Sequence, residues 1–237
     1  LRESLGQQAG QLTAALVDFE HEYASRKLEW DIAQGLWVQD FLHLFSDEEK
    51  GILQVFIQQF EAGVESYSTL RKSIVHNDVN DNNIIVTEDL LDPEVRALID
   101  YGDAVLTQSI NDLAITCAYA AMGHEDPLDA ILPVVKGYNQ FFQLEEKELE
   151  HLYTCIAMRL VISVCKSAIN KEKEPENTYL LISEKPAWSL LKKWVNISAD
   201  FAHFALRLAC GYTAHPDEES FKNWSINQKP DLADLFP

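Results

Sequence analysis

Between residues 73 and 109 the chain abandons the helical spacing that governs nearly everything else in it. Ser73-Ile74-Val75-His76 is short and β-branched, residues 77–83 are crowded with Asn and Asp, and Ile84-Ile85-Val86 is β-branched again. Asn and Asp favour turns because their side chains bond nearby backbone. A turn at Asp92-Pro93 leads into Val95-Arg96-Ala97-Leu98-Ile99, and a polar loop follows from Asp100 to about Ser109. Two short strands flanking a polar turn predict a β-hairpin. The expected fold is therefore mainly α with a small β-hairpin insertion, an α+β arrangement. The insertion also holds the densest polar cluster, and polar loops on a rigid scaffold are where function concentrates.

Outside the insertion, apolar residues recur every three or four positions. Leu12, Leu16, Phe19 and Tyr23 predict a helix over 12–23, followed by Trp30-Asp31 and a turn around Gly35. Ser46 and Glu49 form a capping-box signature for a helix reaching about Leu70, with Ile52, Val55, Phe56 and Phe60 along it. After the insertion, Ile110, Leu113, Ala114, Cys117 and Ala121 share one helical face, with the helix ending near Met122. Pro127 suits the first turn of the next helix, to about Phe142. A third runs from Glu145 to about Ile169, its Glu145–Glu150 charge run read as a solvated face. Lys171–Glu176 reads as a linker, and Pro186 opens a long helix ending at a Gly211 cap. Residues 1–215 are expected to form one unit, and 216–237 a loose tail.

Composition narrows the function classes. The net charge of −19 repels phosphate backbones, so no nucleic-acid partner is expected. Solubility accounts for such a charge, and so does an acidic cleft for a cationic ligand; charge alone leaves both open. No uninterrupted run of about eighteen apolar residues appears, and no membrane partner is expected. Cys117, Cys155, Cys165 and Cys210 form no C-x-x-C pair, which fits buried free thiols and a cytoplasmic location. The five tryptophans, at 30, 37, 188, 194 and 224, fit either core packing or a cage for a cation.

The chemistry lies in two runs. His76-Asn77-Asp78-Val79-Asn80-Asp81-Asn82-Asn83 precedes the first hairpin strand, and Asp100-Tyr101-Gly102-Asp103 follows the second. The spacing lets one loop aim Asp78 and Asn83 at a common point, with Asp100 emerging beside them. A carboxylate that orients a hydroxyl, near hard oxygen ligands for magnesium, is what phosphoryl transfer requires.

H-x-D-x-x-x-x-N followed by I-D-x-G-D resembles the catalytic and metal loops of the aminoglycoside phosphotransferase and choline kinase superfamily, relatives of the protein kinases. The resemblance covers roughly residues 10–210. It implies the C-terminal lobe of a protein-kinase-like fold. It implies Asp78 as catalytic base, and Asn83 and Asp100 as Mg2+ ligands for ATP or GTP. Asp112, in Asp112-Leu113-Ala114, matches an aspartate that braces the catalytic loop, and His76 matches a second brace. Asp103 stands open between metal, substrate and loop-capping roles; Asp81 reads as solvated decoration. Trp30-Asp31 matches a family W-D pair. Asn77 replaces the usual Gly, and Tyr101 the usual Phe or Trp.

The G-D after the metal aspartate and the D-L-A-I-T helix look most like the hydroxylysine kinase group. Related domains also occur joined to class III aminotransferases. The resemblance implies transfer to a hydroxyl of a small polar molecule, and the acidic balance favours an amine-bearing one. The resemblance also implies an N-terminal nucleotide-gripping lobe, and no glycine-rich loop with a strand lysine precedes residue 70. With Leu1 in place of an initiator methionine, the expectation is a fragment that binds nucleotide poorly and turns over little by itself. The alternative is a non-catalytic binding or regulatory module within a larger protein.

Overall fold

The computed structural model describes residues 1–89, 91–173 and 184–228. The order is α1 (Arg2–Leu16), a 3₁₀ stretch (Ile32–Leu44), α2 (Asp47–Ser68), β1 (Lys72–Val75), β2 (Ile84–Val86), β3 (Val95–Leu98) and β4 (Val105–Gln108). Then come α3 (Ile110–Ala121), α4 (Pro127–Phe141), α5 (Glu146–Lys173), α6 (Glu184–Trp194), α7 (Ala199–Ala209) and α8 (Glu218–Gln228).

Helix α5 is the axis of the core. Every side chain from Leu152 to Cys165 except Thr154 is buried, and α2, α3, α6, α7 and the 3₁₀ stretch all pack on it. By length and composition it could cross a membrane, yet most of its apolar stretch is buried inside the fold. Each buried aliphatic side chain contributes roughly 1.5–3 kcal/mol, so this helix carries much of the stability. The cysteines are free, with Cys117, Cys155 and Cys165 buried and Cys210 partly so. Burial raises their thiol pKa values, to about 12 at Cys165 and Cys210, which favours the neutral thiol.

The hairpin forms as expected, β2 antiparallel to β3, with Ile84 opposite Leu98 and Val86 opposite Val95. The Ser46–Glu49 capping box is present, and Gly211 takes a φ of 84° just beyond α7.

Other expectations need correction. The loop over 100–109 contains β4, which pairs antiparallel with β1. Val105 and Thr107 point inward while Leu106 is exposed, so hydrophobicity does not follow the alternation there. The first helix ends at Leu16, leaving Phe19 at 51% and Tyr23 at 72% exposure. Its buried face is Gly6, Ala9, Gly10 and Thr13. These small residues let its backbone touch that of α4: a Cβ on Gly6 would lie 1.9 Å from the Val134 carbonyl oxygen, and one on Gly137 2.2 Å from that of Glu3. A periodicity count of large apolar residues cannot see such a face. The turn at Gly35 belongs to the 3₁₀ stretch, where Gly35 admits Met158 and Ile162.

Glu148, read as part of a solvated face, is buried and takes both Arg71 Nε and Nη2, at 2.9 and 2.5 Å. The long helix after Pro186 is two helices, broken where Ser198 caps α7. Helix α5 continues through Lys173; the remainder of the expected linker lies outside the described residues. Part of the expected loose tail is α8, and 229–237 lie outside the described residues. The tryptophans are spread through the fold. Trp194 stacks on Tyr153 in the core, Trp188 meets Phe45, Trp37 meets Phe41, and Trp224 is exposed.

The α1–α4 contact yields a direct test. Gly137→Ala should destabilise the protein by about 1–3 kcal/mol, the usual cost of overpacking. Gly51→Ala, where an added Cβ meets nothing within 4 Å, should be neutral or stabilising. Urea unfolding midpoints compare the two.

Candidate active site

The site begins where β1 runs into its loop. Asn77 adopts φ 63°, the left-handed conformation that Gly tolerates best and Asn next. A carboxylate holds the turn from beneath. Asp112, wholly buried on α3, accepts the backbone N–H of Asn77 at 2.9 Å through Oδ1 and that of His76 at 3.2 Å through Oδ2. Burial raises its pKa, opposed by these two amides and by the nearby His76 ring. Asn77 itself is fully buried, with neither atom of its side-chain amide hydrogen-bonded.

His76 joins the two loops. Its Nδ1 accepts the Asp78 N–H at 3.3 Å, so Nε2–H is the donor to the Ile99 carbonyl at 2.9 Å. The ring packs on Tyr101 with centroids 4.8 Å apart.

The Asp78 carboxylate is enclosed on both oxygens. Oδ1 accepts Arg159 Nη2 at 2.6 Å, and Oδ2 accepts the amides of Asn80 and Asn83, each at 2.9 Å. Asn83 also donates to the Asp78 carbonyl at 2.9 Å. With its NH2 spent in this way, the Asn83 side chain has Oδ1 left to offer a cation.

Asp100 follows from the hairpin. Ile99 N–H bonds the Asn83 carbonyl at 2.9 Å, extending the β2–β3 pairing to the residue before Asp100. Asp100 then adopts φ 64° and accepts the Gly102 N–H at 3.2 Å. Arg26 fastens this turn by donating to the carbonyls of Gly102 and Ala104, at 2.6 and 3.0 Å. Asp103 is partly buried; burial first, then the nearby Asp78 charge, raises its pKa. Asp78 and Asp103 line a cavity of ≈ 360 Å³ together with Trp30, Tyr119, Arg159 and Lys166.

Of the residues singled out from sequence, Asp78 and Asn83 are directly bonded, and His76 and Asp112 lie beneath them. Asp103 shares the cavity, and Asp100 stands one position beyond the Asn83–Ile99 bond without a hydrogen bond to Asp78 or Asn83. Asp81 is exposed at the rim. Among the described residues no three His, Cys, Asp or Glu gather as a metal cage. An amide oxygen and a carboxylate suit magnesium, which binds few protein ligands and keeps its waters.

Sequence reading missed Arg159. It is 2% exposed and reaches Asp78, the Tyr119 hydroxyl at 3.3 Å and the Trp30 carbonyl at 3.2 Å, lying over the Trp30 ring at 4.7 Å. The signal was available: a lone arginine inside Ile156-Ala157-Met158-Arg159-Leu160-Val161 must be buried, and buried charge requires a partner. Asp31, next to Trp30, is also buried and accepts Thr107 Oγ1 at 2.8 Å and Gln34 Nε2 at 3.0 Å, pinning β4.

Residues 1–147 match the phosphotransferase enzyme family known as APH. The chain belongs to this family. Among its relatives, hydroxylysine kinase of Danio rerio is 26% identical over 83% of this chain and 58% of its own length. The Xenopus laevis hydroxylysine kinase is 28% identical over 69% of this chain and 46% of its own. The chain thus spans about half the length of the curated relatives it matches. Two solved structures share the phosphotransferase fold. The microcompartment-associated aminopropanol kinase aligns with a TM-score of 0.58 at 15% identity, covering 90% of this chain and 64% of that one. Amicoumacin kinase hAmiN, in complex with AMP-PNP, Ca2+ and Ami, aligns at 0.54 and 13%, covering 91% and 60%.

Asn77 combines a positive φ with an unpaired buried amide. Asn77→Gly should stabilise the protein by about 1 kcal/mol, because relief of a buried unpaired amide (about 1–3 kcal/mol) outweighs the added freedom of the unfolded chain. A rise in melting temperature checks this; a fall would show that the added chain freedom outweighs the relief of the amide.

Proposed function

We propose that this chain is the C-terminal lobe of a small-molecule kinase that transfers the γ-phosphate of ATP or GTP to a hydroxyl of a small, amine-bearing acceptor. One observation carries the reading: Asp78 and Asn83 are hydrogen-bonded on one loop, Asp100 leaves the adjoining hairpin beside them, and a cavity of ≈ 360 Å³ opens at Asp78. Family membership, the hydroxylysine kinase relatives and the kinase neighbours support it.

In this reading Asp78 orients the acceptor hydroxyl and accepts its proton. Asn83 Oδ1 and the Asp100 carboxylate hold the cation. Bound Mg2+ and nucleotide would supply the phosphoryl group and screen its charge. Arg159 and the two amides fix the rotamer of Asp78, so little reorganisation is needed as the hydroxyl docks. His76 and Asp112 set the loop and touch neither reactant. An N-terminal lobe, expected upstream, would complete the nucleotide site. Asp78, Asp81 and Asp103 give the cavity wall an acidic character that suits an ammonium group.

The Arg159–Asp78 ion pair favours one alternative, a module that binds ligand without transferring phosphate, because a carboxylate held by a guanidinium is a weaker base.

Asp78→Asn in the intact protein should lower kcat by about 10²–10⁴-fold, the usual worth of a positioned general base. Asn83→Ala and Asp100→Ala should instead raise the Mg2+ concentration needed for half-maximal rate. Transfer of labelled phosphate from Mg-ATP to candidate amines is the readout, with melting curves to separate lost chemistry from lost fold. Full transfer by Asp78→Asn defeats the assignment of Asp78 as the base, and no transfer by the wild type to any acceptor defeats the kinase reading. Acceptor binding with no transfer by the wild type establishes the alternative.

A further inference from the structure

The cavity beside Asp78 carries charges of both signs, and transfer to a hydroxyl uses only part of them. Asp78, Asp81 and Asp103 supply the negative side, and Arg159 and Lys166 the positive. Arg159 is 2% exposed, and its two terminal nitrogens are bonded to Asp78, Tyr119 and the Trp30 carbonyl. Lys166 is therefore the cation of the wall that a ligand can reach. It projects from the same face of α5 as Arg159, Ser163 and Asn170, at spacings of three and four residues.

Lys166 is not idle in the absence of a ligand. Its ammonium pairs with Glu29 and lies 6.0 Å from the Trp30 ring centroid. The two partners differ sharply in environment: the Lys166 side chain is 20% exposed, that of Glu29 68%. A pair with one arm in solvent is weak and exchanges readily. A carboxylate arriving from the cavity side can displace Glu29 while the lysine keeps its place, and the released Glu29 regains full hydration.

We infer that Lys166 recognises an acidic group on the acceptor, so that the substrate is a zwitterion whose carboxylate meets Lys166 while its hydroxyl meets Asp78 and its ammonium the Asp81–Asp103 side. The inference rests on the kinase reading of Asp78. Helix α5 also acts as a ruler. Arg159, which grips Asp78, and Lys166 are two helical turns apart, about 10 Å along the axis. Hydroxyl and carboxylate must then lie several bonds apart. That fits an amino acid hydroxylated far along its side chain better than one with hydroxyl and carboxylate on adjoining carbons.

The test compares two acceptors in the intact protein: 5-hydroxylysine and 1,5-diaminopentan-2-ol, the amine that remains when its carboxylate is removed. Lys166→Met should raise KM for hydroxylysine by about tenfold to a hundredfold, the worth of one charge-assisted hydrogen bond. Its kcat should change by less than about twofold, as expected for lost ground-state binding. The wild-type preference for the amino acid over the diamine should collapse in Lys166→Met and largely return in Lys166→Arg. Equal losses on both acceptors, or no wild-type preference, overturn the inference while leaving the kinase reading intact. Transfer to neither acceptor by the wild type overturns the kinase reading. In that protein a Lys166-dependent rise in melting temperature with hydroxylysine still supports the carboxylate site, and no rise removes it too.

Discussion

A single buried carboxylate organises the site. Asp112 lies inside α3, away from water, and takes the backbone N–H groups of two successive residues in the loop above it. Burying a carboxylate costs several kcal/mol unless donors compensate it. Here the donors are the two amides that β1 leaves unpaired as it breaks off. The arrangement satisfies both sides at once. It also fixes the loop in a conformation that a free chain would rarely adopt, with Asn77 at positive φ. Asp78 inherits its direction from that turn. Without Asp112 the backbone amides of His76 and Asn77 would lose this acceptor, and the turn that aims Asp78 would lose its support from beneath.

Arg159 connects this local device to the core. The helix with the most buried residues among those described also delivers a guanidinium to Asp78, so forming the core and aligning the carboxylate are parts of one event. The helix fixes Arg159 within a cage of Trp30, Tyr119 and Asp78, which compensates part of its lost hydration and leaves Nε unpaired. The same helix two turns later presents Lys166. A buried helix therefore carries both Arg159 and Lys166 along the cavity, and the distance between those charges is set by helix geometry instead of by loops.

Strain is concentrated where the two loops turn. The positive-φ residues other than glycine among those described are Asn77 and Asp100, one in each loop. Both are held by hydrogen bonds from elsewhere: Asn77 by Asp112, and the turn after Asp100 by Arg26. The His76–Ile99 bond then ties one loop to the other. Such conformations persist only where the surroundings over-determine them.

Much of this was legible in the sequence. The hairpin, the capping box and the long apolar helix follow from local rules, because turn chemistry, capping and periodicity act between residues a few positions apart. The spacing of His76, Asp78, Asn83 and Asp100 pointed to one site for the same reason. What stayed hidden depends on contacts between distant segments. The glycine face of α1 exists only because α4 lies against it, and β4 is a strand only because β1 pairs with it. Glu148 is buried only because Arg71 arrives from the other side, and Arg159 meets Asp78 only after α5 has docked. The sequence by itself determined which chemical groups the site contains and the local turns that carry them. The tertiary structure decided which charges face one another, because that depends on packing energies summed over the whole core and on no single segment.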